Sequence, residues 1–216
     1  MAIETELKLR FLNAEDAVGL PTHPLLANAG VGAVEQLTAT YYDTPARELS
    51  ALGMALRVRR EGGRLLQTIK TANTGFGGLH RRHEWEVEVR EDHAPDFGLL
   101  PDILREKLDD DLLGRLAPCF TTDFQRIKWI LPLLDERRAD EGQANGGFVE
   151  VCLDRGEVRD DEHSSPICEV ELELKGSGDP ARLYEIARQL QEILPLVMED
   201  TSKAQRGYEL GIGSAR

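Results

Sequence analysis

The sequence predicts an α+β fold that is dominated by antiparallel β-structure. About eight segments alternate charged and apolar residues, whereas one segment has the length and apolar spacing of a long amphipathic helix. Alternation with a period of two is typical of a strand that buries one face. Most of these segments follow one another in an order that permits hairpins, which favours antiparallel pairing.

The first strand shows the alternation most clearly. In ETELKLRF, residues 4–11, every second side chain is charged, namely Glu4, Glu6, Lys8 and Arg10. Gly62 and Gly63 form a good two-residue hairpin turn between the third and fourth strands. The further strands are predicted at 37–44, 54–60, 64–70, 82–90, 124–131, 148–154 and 168–176.

The strongest predicted helix is DPARLYEIARQLQEIL, residues 179–194. Asp179 is suited to the N-cap and Pro180 to the first helical position. One face of this helix is apolar and carries Leu183, Ile186, Leu190 and Ile193. Weaker helices are predicted over 102–117, around 14–28, and from Ser202 onward.

The charged faces of the strands lie together on one side, because the helices need the apolar faces. An open sheet would show the charged faces to solvent, with cross-strand salt bridges. A sheet of about eight strands could instead close into a barrel and enclose them. The periodicity of the sequence does not distinguish these two arrangements.

The overall charge excludes some classes of partner. With 26 basic and 39 acidic residues the chain carries a formal charge of −13, which argues against a general nucleic-acid or anionic-membrane binder. A local basic site for a small anion remains compatible with this charge.

No apolar run approaches the roughly 18 residues of a membrane span. Three cysteines without a CxxC motif predict free thiols in a reducing cytoplasm, and a first strand near Ile3 leaves no room for a signal peptide.

The acids and bases on the charged faces suit phosphate chemistry. Glu4 and Glu6 are same-face carboxylates about 7 Å apart along a strand, and a second group is Glu169, Glu171 and Glu173. Such carboxylates are ligands for hard divalent cations. The cations that could clamp phosphate oxygens are Arg57, Arg59, Lys70, Arg126 and Lys128. The combination favours metal-assisted phosphoryl transfer, with a salt-bridged polar face as the alternative.

Eight motifs in order along the chain carry a family resemblance. They are ETELK, TYYDT, ALRVR, QTIK, EWE, TDFQRIKW, LDRGEV and CEVELELK. Together they resemble the CYTH family, the triphosphate tunnel metalloenzymes, of which ExExK is the signature. GGLHRR and SKAQRGYEL resemble more closely the bacterial inorganic triphosphatases of the family, which often carry a helical CHAD domain after the CYTH domain.

The resemblance implies a single tunnel domain over residues 1–216, which a CHAD domain would follow if the native chain is longer. The domain would be a closed antiparallel barrel of roughly eight strands, with a charged interior and helices packed outside. Its interior would bind a triphosphate together with Mg²⁺ or Mn²⁺, in the cytoplasm. No nucleic-acid or membrane partner is expected, and polyphosphate is a further candidate ligand.

The resemblance also implies roles for individual residues. The metal would be held by Glu4, Glu6, Asp154, Glu169, Glu171 and Glu173. The catalytic groups would be Glu4, Glu6, Lys8, Glu171 and Glu173, and one of the glutamates at 169, 171 and 173 would position the attacking water. The substrate would be bound by Lys8, Arg57, Arg59, Lys70, Arg82, Arg126, Lys128, Lys203 and Arg206. For Glu84 and Glu86, pairing with arginines is as compatible with the pattern as catalysis.

The implied activity is hydrolysis of inorganic triphosphate to phosphate and pyrophosphate. A class IV-type adenylate cyclase and a thiamine triphosphatase are alternatives on the same fold, because the strand motifs do not reveal how an organic group would be held. A non-catalytic polyphosphate-binding module is the alternative from another class. The carboxylate pairs Glu4/Glu6 and Glu171/Glu173 favour an enzyme, since anion binding alone would need fewer carboxylates.

Overall fold

Eight antiparallel strands close into a barrel in the computed structural model, which describes residues 2–27, 29–30, 32–133 and 147–210, without the side chain of His93. The strands are β1 Ala2–Phe11, β2 Ala33–Asp43, β3 Met54–Glu61, β4 Arg64–Thr71, β5 Leu79–Val89, β6 Ala117–Pro132, β7 Phe148–Arg159 and β8 Ser164–Lys175. Their order is β5-β4-β3-β2-β6-β7-β8-β1, and pairing of β1 with β5 closes the ring. The closed barrel that the family resemblance implies is therefore confirmed.

Strand β1 closes the barrel because its two halves have different neighbours. Its first half pairs with β5, where Glu4 lies opposite Arg82. Its second half pairs with β8, where Lys8 lies opposite Glu171. A short strand β9, Leu196–Met198, adds to the end of β1 at Phe11. Since a slip of one residue would turn every side chain to the other face, this register fixes which charges meet inside.

The main apolar core lies outside the barrel, between its wall and helix α4, Ala181–Gln191. Leu9, Leu172 and Leu183 are fully buried there. The prediction that Ile193 belongs to the buried face is wrong, because α4 ends at Gln191 and Ile193 is 60% exposed. Two 3-10 helices, Ala14–Thr22 and Pro24–Leu26, cover the predicted turns around 14–28 and contribute Leu20 and Leu26 to this core.

A second core lies beneath three short helices: α1 Glu48–Ala51, α2 Asp102–Arg105 and α3 Asp110–Gly114. The predicted single helix over 102–117 is wrong. Asp109 accepts a hydrogen bond from the backbone N–H of Leu112 and so begins a separate helix, and β6 already starts at Ala117. An aspartate favours an N-cap over a helix interior, which accounts for the break.

The last helix, α5 Lys203–Tyr208, packs against β6 and β7. Its predicted start is confirmed, because the Ser202 side chain accepts a hydrogen bond from the N–H of Gln205. Near its other end, Tyr208 meets the ring of Phe120 edge-on at 5.1 Å. Across the described residues, no helix is long and apolar enough to cross a membrane.

Replacing Gly207 with alanine should loosen α5, because an added Cβ would lie 2.1 Å from the Phe120 ring. Forced overpacking of this kind costs about 1–3 kcal/mol in the free energy of unfolding, which urea denaturation measures. Gly114→Ala is the matched control, since nothing lies within 4 Å of its added Cβ. Equal stability of the two variants would contradict the close packing of α5.

Candidate active site

The barrel contains a cavity of about 180 Å³ whose lining is mostly charged. We call it the tunnel cavity. Its nine basic lining residues are Lys8, Arg57, Arg59, Lys70, Arg82, Arg126, Lys128, Lys175 and Lys203. Its nine acidic lining residues are Glu4, Glu6, Glu35, Glu61, Glu84, Glu86, Glu150, Glu171 and Glu173. The structure thus brings most of the predicted site residues together, and it leaves Asp154, Glu169 and Arg206 outside this lining.

Glu4 and Glu6 are held by basic residues of the neighbouring strands. Lys70 Nζ donates to Glu4 Oε1 at 2.6 Å. Arg82 donates from Nε to Glu4 Oε2 at 2.8 Å and from Nη2 to Glu6 Oε1 at 2.9 Å. Burial alone would raise the pKa of Glu4, but the charges of Lys70 and Arg82 outweigh it and hold this pKa well below its usual range. Glu4 is therefore ionised at neutral pH.

Asp154, Glu169 and Glu171 form a second acidic group, the carboxylate trio. One oxygen from each lies within 4.8 Å of the others. Lys203, from the first turn of α5, donates to all three from Nζ: to Asp154 Oδ2 at 2.6 Å, Glu169 Oε1 at 2.5 Å and Glu171 Oε1 at 2.8 Å. Asp154 and Glu169 are fully buried behind this ammonium group.

Three further cations surround the carboxylate trio. The ion pairs are Lys8 Nζ to Glu171 Oε1 at 3.0 Å, Arg126 Nη2 to Asp154 Oδ2 at 2.6 Å, and Arg206 Nη2 to Glu169 Oε2 at 3.0 Å. Burial would raise the pKa of Glu171, but the charges of Lys203, Lys8 and Arg126 outweigh it and lower this pKa well below its usual range. Each carboxylate of the trio is thus paired with at least two cations.

Arg57 and Lys128 differ from the other cations of the tunnel cavity. Within the described part of the chain, neither has a carboxylate oxygen within 4.0 Å. Arg57 Nε is buried without a hydrogen-bond partner. Burial would raise the pKa of the neighbouring Tyr41, but the charge of Arg57 outweighs it and lowers this pKa. These two side chains are the cations that an incoming anion could engage without breaking an ion pair.

Glu173 lies between two other glutamates, opposite Glu6 on β1 and Glu150 on β7. Lys175 Nζ donates to Glu173 Oε1 at 2.5 Å. Burial is the main influence on Glu173 and raises its pKa to about 7, although Lys175 acts in the opposite direction. Sequence reasoning did not include Glu150 and Lys175 in the site. Their strand parity, shared with Asp154 and Glu173, was the signal that could have found them.

Replacing Glu173 with glutamine should stabilise the metal-free protein at pH 8 by roughly 1–3 kcal/mol. A carboxyl whose pKa is raised in the folded state contributes stability below its unfolded pKa of about 4.5, and that contribution is lost as the pH rises through about 7. The advantage of Glu173→Gln should therefore be small at pH 4.5 and full at pH 8. Urea unfolding in EDTA at the two pH values measures it, and an advantage independent of pH would contradict the assignment.

Arg10, Cys152 and His80 have other surroundings. Arg10 points away from the cavity lining and lies 3.4 Å from Glu199. Burial raises the pKa of the Cys152 thiol to about 12, so this thiol stays protonated and is a poor nucleophile. His80 Nε2 lies 3.2 Å from the carbonyl oxygen of Glu199. Among the described residues, the acidic group that could hold a metal contains neither histidine nor cysteine, which does not favour a zinc site.

The carboxylates of the site fit a hard divalent cation such as Mg²⁺ or Mn²⁺. Their donor atoms are oxygens, which such ions prefer over nitrogen and sulfur. Glu4, Glu6, Glu171 and Glu173 line the tunnel cavity, where a phosphate-bearing ligand would also lie. Asp154 and Glu169 offer the same chemistry, but their oxygens are engaged by Lys203.

The chain is similar to proteins of known family. The CYTH domain family matches residues 2–208. The inorganic triphosphatase of Haemophilus influenzae is 33% identical over 173 residues, which cover 80% of this chain and 45% of that protein. The chain thus spans about 45% of the length of this curated relative.

Two solved structures share the fold. A putative adenylyl cyclase from Hippeastrum, described as having a dominant triphosphatase activity, aligns with a TM-score of 0.63 at 19% identity, over 95% of this chain and 96% of that one. A putative adenylate cyclase from Bacillus halodurans aligns with a TM-score of 0.58 at 16% identity, over 95% and 98%. At these identities the likeness concerns the fold alone. Because the family match spans nearly the whole chain, this protein belongs to the CYTH domain family.

Proposed function

We propose that the chain hydrolyses inorganic triphosphate to phosphate and pyrophosphate in the tunnel cavity, with Mg²⁺ or Mn²⁺. The observation that carries the proposal is a charged cavity in which Arg57 and Lys128, two cations without a carboxylate partner among the described residues, lie among carboxylates that suit a divalent ion. The 33% identity to an inorganic triphosphatase supports the choice of substrate.

The cations of the cavity would bind and orient the substrate. Arg57 and Lys128 can bind phosphate oxygens directly, because no ion pair with a carboxylate of the described residues has to break first. Arg59 is paired with Glu61 at 2.7 Å and could exchange this partner for a phosphate oxygen. Guanidinium groups hold such oxygens with two parallel hydrogen bonds, which fixes the direction of the chain of phosphates.

The carboxylates would serve the metal and the attacking water. When bound by Glu4, Glu6, Glu171 and Glu173, Mg²⁺ or Mn²⁺ would neutralise phosphate charge and activate water. Glu171 and Glu173 can accept hydrogen bonds from a water that faces the terminal phosphorus. As the bond to the leaving pyrophosphate breaks, the nearby basic groups stabilise the charge that develops on it.

A substrate panel tests the proposal. The protein is incubated with triphosphate, ATP or thiamine triphosphate, each with Mg²⁺, Mn²⁺ or EDTA, and phosphate and cyclic AMP are measured. We expect phosphate from triphosphate far above that from ATP, and none in EDTA. Formation of cyclic AMP would instead support a cyclase, and tight binding of triphosphate without turnover would support a non-catalytic binding module.

A further inference from the structure

We propose that Lys203 and a divalent cation compete for the carboxylate trio, so that Lys203 keeps metal out of Asp154, Glu169 and Glu171 until its ammonium group moves away. Lys203 is then a resident cation that α5 inserts into an acidic site. The proposal rests on the proposed function only in assuming that divalent cations enter the tunnel.

The hydrogen bonds of Lys203 are saturated by the trio. A lysine ammonium group has three N–H donors and no acceptor. Each of the three carboxylates lies within 2.8 Å of Nζ, so each takes one donor. No donor remains for a phosphate oxygen in this arrangement. Lys203 is therefore paired with the three carboxylates, and it could bind substrate only after these pairs break.

A metal ion and the ammonium group cannot share this position. The trio oxygens lie within 4.8 Å of one another, and Nζ lies 2.5–2.8 Å from each residue of the trio. A divalent ion would need the same oxygens at about 2.0–2.6 Å. It would also meet strong repulsion from the buried ammonium charge at this separation. Entry of the ion thus requires Lys203 to withdraw.

Withdrawal of Lys203 would loosen α5, because Lys203 is the first residue of that helix. The helix has six residues, so it depends on tertiary contacts more than on its own hydrogen bonds. Its remaining anchors include the Arg206 pair with Glu169 at 3.0 Å and the contact of Tyr208 with Phe120. Binding of a metal ion to the trio would therefore loosen the backbone of α5.

Binding of Mn²⁺ without substrate tests the proposal. Isothermal titration, checked by electron paramagnetic resonance of the free ion, should give an affinity for Lys203→Met at least about tenfold tighter than for wild type. Lys128→Met is the matched control, since it also removes one lysine charge from the tunnel cavity, and Lys128 pairs with no carboxylate in the described part of the chain. Its affinity should change by less than about threefold. Equal affinities of Lys203→Met and wild type would overturn the proposal.

A second measurement on the wild type does not depend on folding of the variant. Hydrogen exchange of α5 follows the amides of Arg206 and Glu209, which donate to the carbonyls of Ser202 and Gln205. We expect saturating Mn²⁺ to accelerate their exchange, and unchanged exchange would overturn the proposal. Tighter Mn²⁺ binding by Lys203→Met, together with no triphosphate hydrolysis by the wild type, would contradict the proposed function alone. Triphosphate hydrolysis by the wild type, together with equal Mn²⁺ affinities of Lys203→Met and wild type, would contradict this inference alone.

Discussion

Replacing Arg57 with alanine should lower kcat/KM for triphosphate by at least about 100-fold while changing the free energy of unfolding by less than about 1.5 kcal/mol. The loss of activity follows because Arg57 is a cavity cation available to bind phosphate. The small effect on stability follows because no ion pair with a described carboxylate breaks when the side chain is removed. Phosphate release and urea unfolding measure the two quantities.

Arg60→Ala is the control for this variant, since Arg60 lies on the same strand with its side chain 52% exposed and paired with Glu91. It should leave kcat/KM close to the wild-type value. Near-wild-type turnover by Arg57→Ala would show that Arg57 does not bind the substrate. A large loss of stability would instead show that Arg57 is a structural residue of the barrel.

Replacing Arg82 with methionine should destabilise the protein by about 3–5 kcal/mol at pH 8, because it removes the partner of two buried carboxylates. Arg82 bonds both Glu4 and Glu6, at 2.8 and 2.9 Å. In the wild type the lowered pKa of Glu4 contributes stability above its ordinary pKa of 4.5, and this contribution is lost as the pH falls. The difference between variant and wild type should therefore persist down to about pH 4.5 and shrink from there to pH 2.

Urea unfolding of the metal-free protein at pH 8 and pH 2 measures this difference. Arg81→Met is the control, because Arg81 lies next to Arg82 on β5 with its side chain exposed on the other face. It should change stability by less than about 0.5 kcal/mol at either pH. An Arg82→Met variant that is as strongly destabilised at pH 2 as at pH 8 would show that packing, rather than charge pairing, makes Arg82 important.

The alternation of residues along the strands was enough to predict which side chains face inward. The inward residues named for β1, β3 and β4 line the tunnel cavity, except Arg10 near the end of β1, which pairs with Glu199. The alternation could not show that the sheet closes, because closure depends on β1 pairing with both β5 and β8. Only the family resemblance supplied the barrel.

The sequence pattern could not predict which acidic and basic side chains pair within the cavity. Lys203 reaches Asp154 across 49 residues, and Arg82 reaches Glu4 across 78. Such partners depend on strand order, on register and on where α5 packs, and no local sequence motif indicates any of these. The following CHAD domain, the polyphosphate ligand and the cytoplasmic location stay predictions.

On the proposed function, the charged interior of the barrel hydrolyses inorganic triphosphate. Phosphorus NMR of inorganic triphosphate incubated with the protein follows substrate and both products together. We expect equal amounts of phosphate and pyrophosphate to form with Mg²⁺ or Mn²⁺, with no product in EDTA and almost none with Arg57→Ala. Triphosphate that stays intact when the wild type is incubated with either metal would contradict the proposed function.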